Sequence, residues 1–280
     1  MSEANIIGNI RSHYYSFSPS EKKVANYVLS NCEKIQYMSI SELAESAEVA
    51  DATVTRFCRN LNLKGFNIFK LELAACIAEK RAPSFVNEEH DILSSGKQSA
   101  AESKEAIDET IALLDKNAIE SAIELFERAG RVLCAGSGSS MIMAEECARL
   151  LSIVEPKFVA VADSHSQTAT AATMRENDIV LLFSYSGATV NGIELLELTK
   201  RLGIKTVLVT RFKKSPISKL ADVTLCCGSK EGPYQMGSVA AKMALLTLID
   251  VIFREYRSRH AEEAEKNIKR IVTALSDKHL

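Results

Sequence analysis

Between Arg131 and Cys227 the chain repeats one pattern: a short apolar run, a polar turn, then a stretch with helical spacing. The runs fall at about 131–136, 157–162, 178–184, 205–210 and 223–227. The run Asp178-Ile179-Val180-Leu181-Leu182-Phe183 has no polar alternation after its first residue, so a strand built from it must be covered on both faces. Alternating strands and helices satisfy this demand as a five-stranded parallel α/β sandwich of the flavodoxin type, doubly wound with helices on both faces. Ligands of such sheets bind outside the carboxyl ends of the strands, so the turns after the runs are the candidate sites.

Two of those turns are rich in hydroxyls. Ser184-Tyr185-Ser186-Gly187-Ala188-Thr189 leads into an amphipathic helix, Val190 to Leu202. Unpaired N–H groups and the helix dipole favour an anion there, and Ser and Thr hydroxyls add donors without adding charge. An ordinary turn with a Thr cap fits the same residues. Gly136-Ser137-Gly138-Ser139-Ser140 follows the first strand and opens the helix Met141 to Ser152. The third glycine of a dinucleotide fingerprint is missing, and Met141 stands in its place. Asp163 lies near the distance at which such a fold carries its acid, so a nucleotide stays open on spacing alone. Two serine-rich turns favour a compact phosphate.

The N-terminal part is different in kind. Ser18-Pro19-Ser20-Glu21 and Ser39-Ile40-Ser41-Glu42 are capping boxes, the first with proline at the first helical position. A third helix spans Ala52 to Asn60, with Asp51 as its cap and Asn62 as a left-handed exit. A fourth runs from Phe66 to about Glu79. Ile40 to Arg59 has helix-turn-helix spacing. Ala44 lies at the crossing, Val49 plugs the turn, and Val54 and Phe57 point inward. Thr53, Thr55, Arg56 and Arg59 are then expected to point outward, with Lys64 and Lys70 nearby. Asp51 to Lys80 holds five basic and three acidic residues, a modest local excess. A three-helix bundle with solvated arginines would show the same spacing. Glu48 stands where many such turns carry glycine.

The two Ser-rich loops resemble the signature loops of the sugar isomerase (SIS) domain, a phosphosugar-binding fold, over roughly Asn117 to Arg257. Thr53-Val54-Thr55-Arg56-Phe57-Cys58-Arg59 and Lys64-Gly65-Phe66 resemble the helix-turn-helix domain of the RpiR family of bacterial transcription regulators. The SIS resemblance implies that Ser184, Ser186 and Thr189 hold a phosphate. It places Ser139 and Ser140, beside Gly138, on the sugar phosphate from the first loop. Ala188 stands where the family often has Glu. Ser238, at the start of the last long helix, is a further ligand candidate or a plain cap. His165 could bind a sugar hydroxyl, and Asp163 reads as structural.

Together the resemblances imply an N-terminal all-α helix-turn-helix domain at 1–80, a linker and connecting helix at 81–116, a SIS-like domain at 117–258 and a charged tail at 259–280. They imply a regulator of sugar metabolism with operator DNA and a phosphorylated sugar effector as partners, acting as a homodimer or homotetramer. The apolar side chains Val239, Ala240, Met243, Leu246 and Leu248 of the last helix are the expected contact between copies. The alternatives are a phosphosugar isomerase with an accessory helical domain and a nucleotide-binding module. An isomerase needs a base that moves a proton, and Met236 to Asp250 holds neither Glu nor His. Glu145 and Glu146 lie beyond the first turn of their helix, so no catalytic residue is assigned.

Composition fits this reading. The 280 residues are 46% hydrophobic and 25% charged with a net charge of -2, so any attraction to DNA must be local. No apolar run reaches membrane-spanning length, and Met1-Ser2-Glu3-Ala4 lacks a signal pattern. The seven cysteines form no C-x-x-C and sit mostly among apolar neighbours, as expected of core thiols in a reducing cytoplasm. The five histidines are scattered, and neither a metal nor a cofactor is expected.

Overall fold

The computed structural model describes residues 6–81, 92–229, 231–234 and 237–276. The chain divides into two compact units, one of Met1–Ala100 with Lys230–Ser238, the other of Ala101–Ser229 with Val239–Leu280.

The first unit is helical: α1 (Ile6–His13), a 3-10 turn at Tyr14–Ser16, α2 (Pro19–Ser30), α3 (Cys32–Ile35), α4 (Ile40–Ser46), α5 (Asp51–Asn60) and α6 (Phe66–Arg81). Both capping boxes form, on Ser18 with Glu21 and on Ser39 with Glu42. Glu21 does more than cap. Its second oxygen accepts from Asn60 Nδ2 at 2.7 Å and so ties α2 to the end of α5. The core gathers Val24, Val28, Leu43, Val54, Leu73 and the Phe57 ring, which packs 5.1 Å from Phe17 and 5.7 Å from Phe69. The N-cap of α5 is Ala50, not Asp51, because the Asp51 carboxylate is engaged with α4, accepting from Ser41 Oγ at 2.6 Å. Glu48 (φ 53°) and Asn62 (φ 61°) both adopt the left-handed conformation that their turns demand. Tyr234 Oη donates to the Leu71 carbonyl at 3.2 Å, which joins the Lys230–Ser238 segment to α6.

In the second unit the strands β1 (Val132–Gly136), β2 (Phe158–Ala160), β3 (Ile179–Phe183), β4 (Lys205–Thr210) and β5 (Val223–Cys226) form one parallel sheet in the order β2-β1-β3-β4-β5. This is the flavodoxin-type order. The helices are α7 (Ile92–Ala112), α8 (Lys116–Arg128), α9 (Ser139–Ser152), α10 (Ser164–Ala172), α11 (Val190–Arg201), α12 (Val239–Arg259) and α13 (Ala261–Leu275). Alternate residues of β3 serve opposite layers. Ile179, Leu181 and Phe183 pack in the layer with Phe126, Leu151 and Ile252, whereas Val180 and Leu182 pack in the layer with Ala171, Leu195 and Leu196. Burial raises the thiols of Cys58 and Cys134 to about 12, in keeping with core cysteines.

Two expectations need correction here. Within the expected linker and connecting helix at 81–116, the helix already begins at Ile92 and runs to Ala112; positions 82–91 lie outside the described residues. Its first turns are exposed and rich in Ser and Gly, so they carry no apolar period to read. Leu248 is 1% exposed and belongs to the core instead of an outer face of α12. The charged tail forms α13, a mostly exposed helix in which Ala264 is fully buried and Asn267 Nδ2 donates to the Val154 carbonyl at 2.9 Å. The expected N-terminal signal-free stretch and residues 277–280 lie outside the described residues.

Candidate ligand crevice and nucleic-acid face

The sheet order puts β1 beside β3, with Gly136 opposite Phe183. Here the winding reverses, so the loops that follow the two strands flank one crevice at the carboxyl edge. In the β3 loop Ser184 is buried, and its Oγ lies 3.3 Å from Thr189 Oγ1. Ser186 Oγ accepts a long bond from the Ala188 N–H at 3.4 Å. Gly187 turns the backbone at φ 60°, and a Cβ there would lie 2.2 Å from Ser215 Oγ. The β1 loop turns at Gly138, φ 57°, and Ser140 is buried at the start of α9.

The helix starts differ: those of α3, α5 and α13, at Asn31, Ala50 and His260, have no side-chain cap bond. Ser18, Ser39, Asp115 and Asp163 each cap their helix with a side chain. Thr189 occupies the N-cap of α11 and Gly138 that of α9, and neither supplies a side-chain cap bond. The Thr189 hydroxyl is therefore not spent on its own helix. Neither loop carries a Lys or Arg, so the crevice offers amide dipoles and hydroxyls to an anion, without formal charge.

Gln167 is the site residue that sequence reasoning missed. It is 4% exposed, and its Nε2 donates to the carbonyls of Gly136 and Val161, both at 2.8 Å. It thus fixes the end of β1, where the first loop begins. Asp163 caps α10, accepting from the Ser166 N–H at 2.8 Å, and this bond holds its carboxyl below the usual range. His165 is exposed on the first turn of α10. The Ser238 N–H donates to Glu231 Oε1 at 2.6 Å, and the residue groups with the helical unit. Glu146 is clamped by Arg149, whose Nη2 and Nε donate at 2.6 and 2.8 Å, and that pairing lowers its pKa. Among the described residues no cluster of His, Cys, Asp or Glu could hold a metal ion.

In the helical unit, Val54 and Phe57 are fully buried, and Arg56, Arg59 and Lys64 are exposed. Thr53 does not point outward: it is 5% exposed, and its Oγ1 accepts from Arg56 Nη2 at 3.4 Å. It stands in the first turn of α5, which the Ser41–Asp51 hydrogen bond ties to α4. Thr55 is half-buried and donates to the Asp51 carbonyl at 3.2 Å. Lys70 donates to the Met38 carbonyl at 3.3 Å and lies over the Phe66 ring, and burial lowers its pKa. The exposed basic face thus narrows to Arg56, Arg59 and Lys64.

Residues 4–80 match the helix-turn-helix domain of the rpiR family, and residues 125–254 match the SIS domain. An HTH-type transcriptional regulator of Caldanaerobacter subterraneus subsp. tengcongensis is 32% identical over 251 residues, 89% of each chain. The HTH-type transcriptional regulator HexR of Escherichia coli is 28% identical over 98% of this chain and 95% of its own. The structure of the Vibrio vulnificus NanR protein complexed with ManNAc-6P superposes with a TM-score of 0.89 at 25% identity, over 99% of this chain and 100% of that one.

Proposed function

The chain belongs to the RpiR family of helix-turn-helix transcriptional regulators, and on that premise we propose that its α/β unit senses a phosphorylated sugar and its helical unit reads an operator. One observation carries the sensor reading: two helices without side-chain caps start from uncharged, hydroxyl-rich loops on adjacent strands. Ser184, Ser186 and Thr189 hold the phosphate with the first-turn amides of α11. Gly138, Ser139 and Ser140 approach from the α9 side. NanR, which shares both domains over the whole chain, is complexed with a sugar phosphate.

In the operator complex Arg56 and Arg59 reach base edges, Thr53 and Thr55 support the start of the recognition helix, and Lys64 meets a phosphate. One recognition helix reads few base pairs, so the regulator acts as a homodimer or homotetramer on a symmetric site. Val239, 58% exposed, and the half-buried Ala240, Met243 and Leu246 of α12 supply contact surface between copies. Among the described residues no helix is long and apolar enough to cross a membrane, and the proposed site of action is the cytoplasm. The clamped Glu146 supports sensing over isomerisation, because a carboxylate held by Arg149 is a poor proton acceptor.

The test is Ser186→Ala combined with Thr189→Ala. Calorimetry with sugar 6-phosphates and their unphosphorylated parents is expected to show the phosphorylated member alone binding the parent protein. The double variant loses about 100- to 10,000-fold in affinity, from two charge-assisted bonds, and keeps operator binding. Equal affinity for both members of a pair refutes the phosphate site, and interconversion of a sugar phosphate by the pure protein replaces sensing with isomerisation.

A further inference from the structure

Ser229 is a non-glycine residue at φ 108° and is only 3% exposed. A residue held in that sparsely populated region must be fixed by its surroundings. The surroundings are specific. The Ser229 carbonyl accepts from Tyr185 Oη at 2.8 Å and from Arg211 Nε at 2.7 Å. Its N–H donates to Glu109 Oε2 at 2.8 Å, and the Gly228 N–H donates to the buried Thr110 Oγ1 at 2.9 Å. Arg211 Nη2 lies 3.9 Å from the same Glu109 carboxylate. A Cβ on Gly228 would lie 2.4 Å from Glu109 Cβ, so this backbone is pressed directly onto α7.

Each member of this node has a meaningful address. Tyr185 sits between Ser184 and Ser186 in the β3 loop, so any adjustment of that loop around an anion moves its ring. Glu109 and Thr110 lie on α7, the helix in which the chain passes from one unit to the other at Ala100–Ala101. Ser229 is the last residue of the α/β unit before the chain leaves it again. One polar cluster within the α/β unit therefore grips two of the covalent connections to the helical unit, and it grips them from the ligand loop.

We infer that Tyr185, Ser229, Arg211 and Glu109 form the coupling node through which occupancy of the β3 loop is passed to α7 and to the segment after Ser229, and thence to the DNA-reading unit. This rests on the sensor reading above. Tyr185 is a positioning residue: its hydroxyl is spent on Ser229 and not on the ligand. The node is a single two-sided clamp, so removing one hydroxyl should uncouple binding at one unit from binding at the other while leaving each intact.

The test uses the full chain, Tyr185→Phe and, separately, Glu109→Gln. The probes are glucose 6-phosphate, fructose 6-phosphate, N-acetylmannosamine 6-phosphate and inorganic phosphate, and the DNA is a duplex selected from a random pool on the parent protein. Three quantities are measured: probe affinity, duplex affinity without probe, and the fold-change in duplex affinity that the probe causes. Tyr185→Phe is expected to hold the first two within about threefold and to cut the third at least fivefold. By reciprocity the duplex-induced change in probe affinity falls by the same factor. A weakened core would lower stability without selecting the third quantity. Amide exchange on the parent gives an independent readout: probe binding is expected to slow exchange at Gly228 and Ser229, and Tyr185→Phe to abolish that protection. Probe binding that leaves those amides unprotected, or an unchanged fold-change in both variants, overturns the coupling node and leaves the sensor reading standing. Failure of every probe to bind the parent overturns both.

Discussion

Gly187→Ala is the most discriminating single change in the crevice. The position has φ 60°, which costs an L-residue about 1–2 kcal/mol. The added methyl would lie 2.2 Å from Ser215 Oγ, 2.5 Å from Ser215 Cβ and 3.1 Å from Thr210 Oγ1. Ser215 has no room to retreat. It is fully buried, its Oγ accepts from the Ser218 N–H at 3.2 Å, and its own N–H donates to Ser218 Oγ at 2.9 Å. Overpacking of this kind costs roughly 1–3 kcal/mol. Alanine restricts the unfolded chain and returns about 0.4–1 kcal/mol. The net loss is about 1–5 kcal/mol, which for a unit of this size lowers Tm by roughly 2–20 °C. Gly138→Ala is the internal control. Its φ of 57° comes with ψ −129°, a positive-φ extended conformation that suits glycine, so alanine pays a backbone cost of about 1–3 kcal/mol, but nothing lies within 4 Å of the new methyl. Scanning calorimetry of the full chain reports both variants, and calorimetric titration reports sugar-phosphate affinity, expected to fall for Gly187→Ala because the loop must move. Adding Ser215→Gly should recover the steric share in a double-mutant cycle. A Ser215→Gly change that recovers none of the Gly187→Ala loss would refute the claim that Ser215 sets the shape of the loop.

Other changes probe the helical unit and the sheet. Arg56→Ala is expected to cost roughly 1–3 kcal/mol on a selected duplex, and Lys64→Ala to weaken all duplexes alike and lower the salt slope by about 1, both read by titration across salt concentrations. Glu48→Gly should raise stability by up to about 1 kcal/mol in urea unfolding, since it relieves φ 53° at the loss of one exposed ion pair with Lys23; destabilisation would count against the strain. At Asp222 burial opposes ionisation, but Lys205 Nζ at 2.8 Å and the Thr206 N–H at 2.9 Å outweigh it and hold the carboxyl below its ordinary value. The stability it adds is present above its unfolded pKa of about 4 and is lost as pH falls through the lower folded value. Asp222→Asn should thus cost about 1–2 kcal/mol at neutral pH and flatten the acid limb of the stability curve, and an unchanged acid limb would sink the assignment.

The sheet was legible because each strand is a buried apolar run that ends at a turn, and the two signature loops follow from their place after β1 and β3. Pairing of β1 with β3 then brought those loops together without further information. What stayed hidden depends on distant partners. Thr53 reads as outward from the spacing of Val54 and Phe57, but it is buried. Gln167 sits in a polar helix with no local pattern to mark it, and its role comes from the carbonyl of Gly136, 31 residues away. The Gly228–Ser229 contacts with α7 span 118 and 120 residues. The start of α7 escaped for the opposite reason: Ser94, Ser95 and Gly96 resemble a linker, and an exposed helix has no buried stripe to betray it.

The two loops of the crevice contain no side chain that titrates between about pH 5 and 8. A host of amides and hydroxyls takes up and releases no proton of its own in that range. Any pH dependence of effector binding that arises in these loops therefore belongs to the guest, whose second phosphate ionisation lies near pH 6. A drop in acidity that converts monoanion to dianion strengthens the attraction, and above about pH 7 the affinity should level off. On the proposed reading, loops of this kind would respond above about pH 7 to the amount of phosphorylated metabolite alone, and below it also to the protonation of that metabolite.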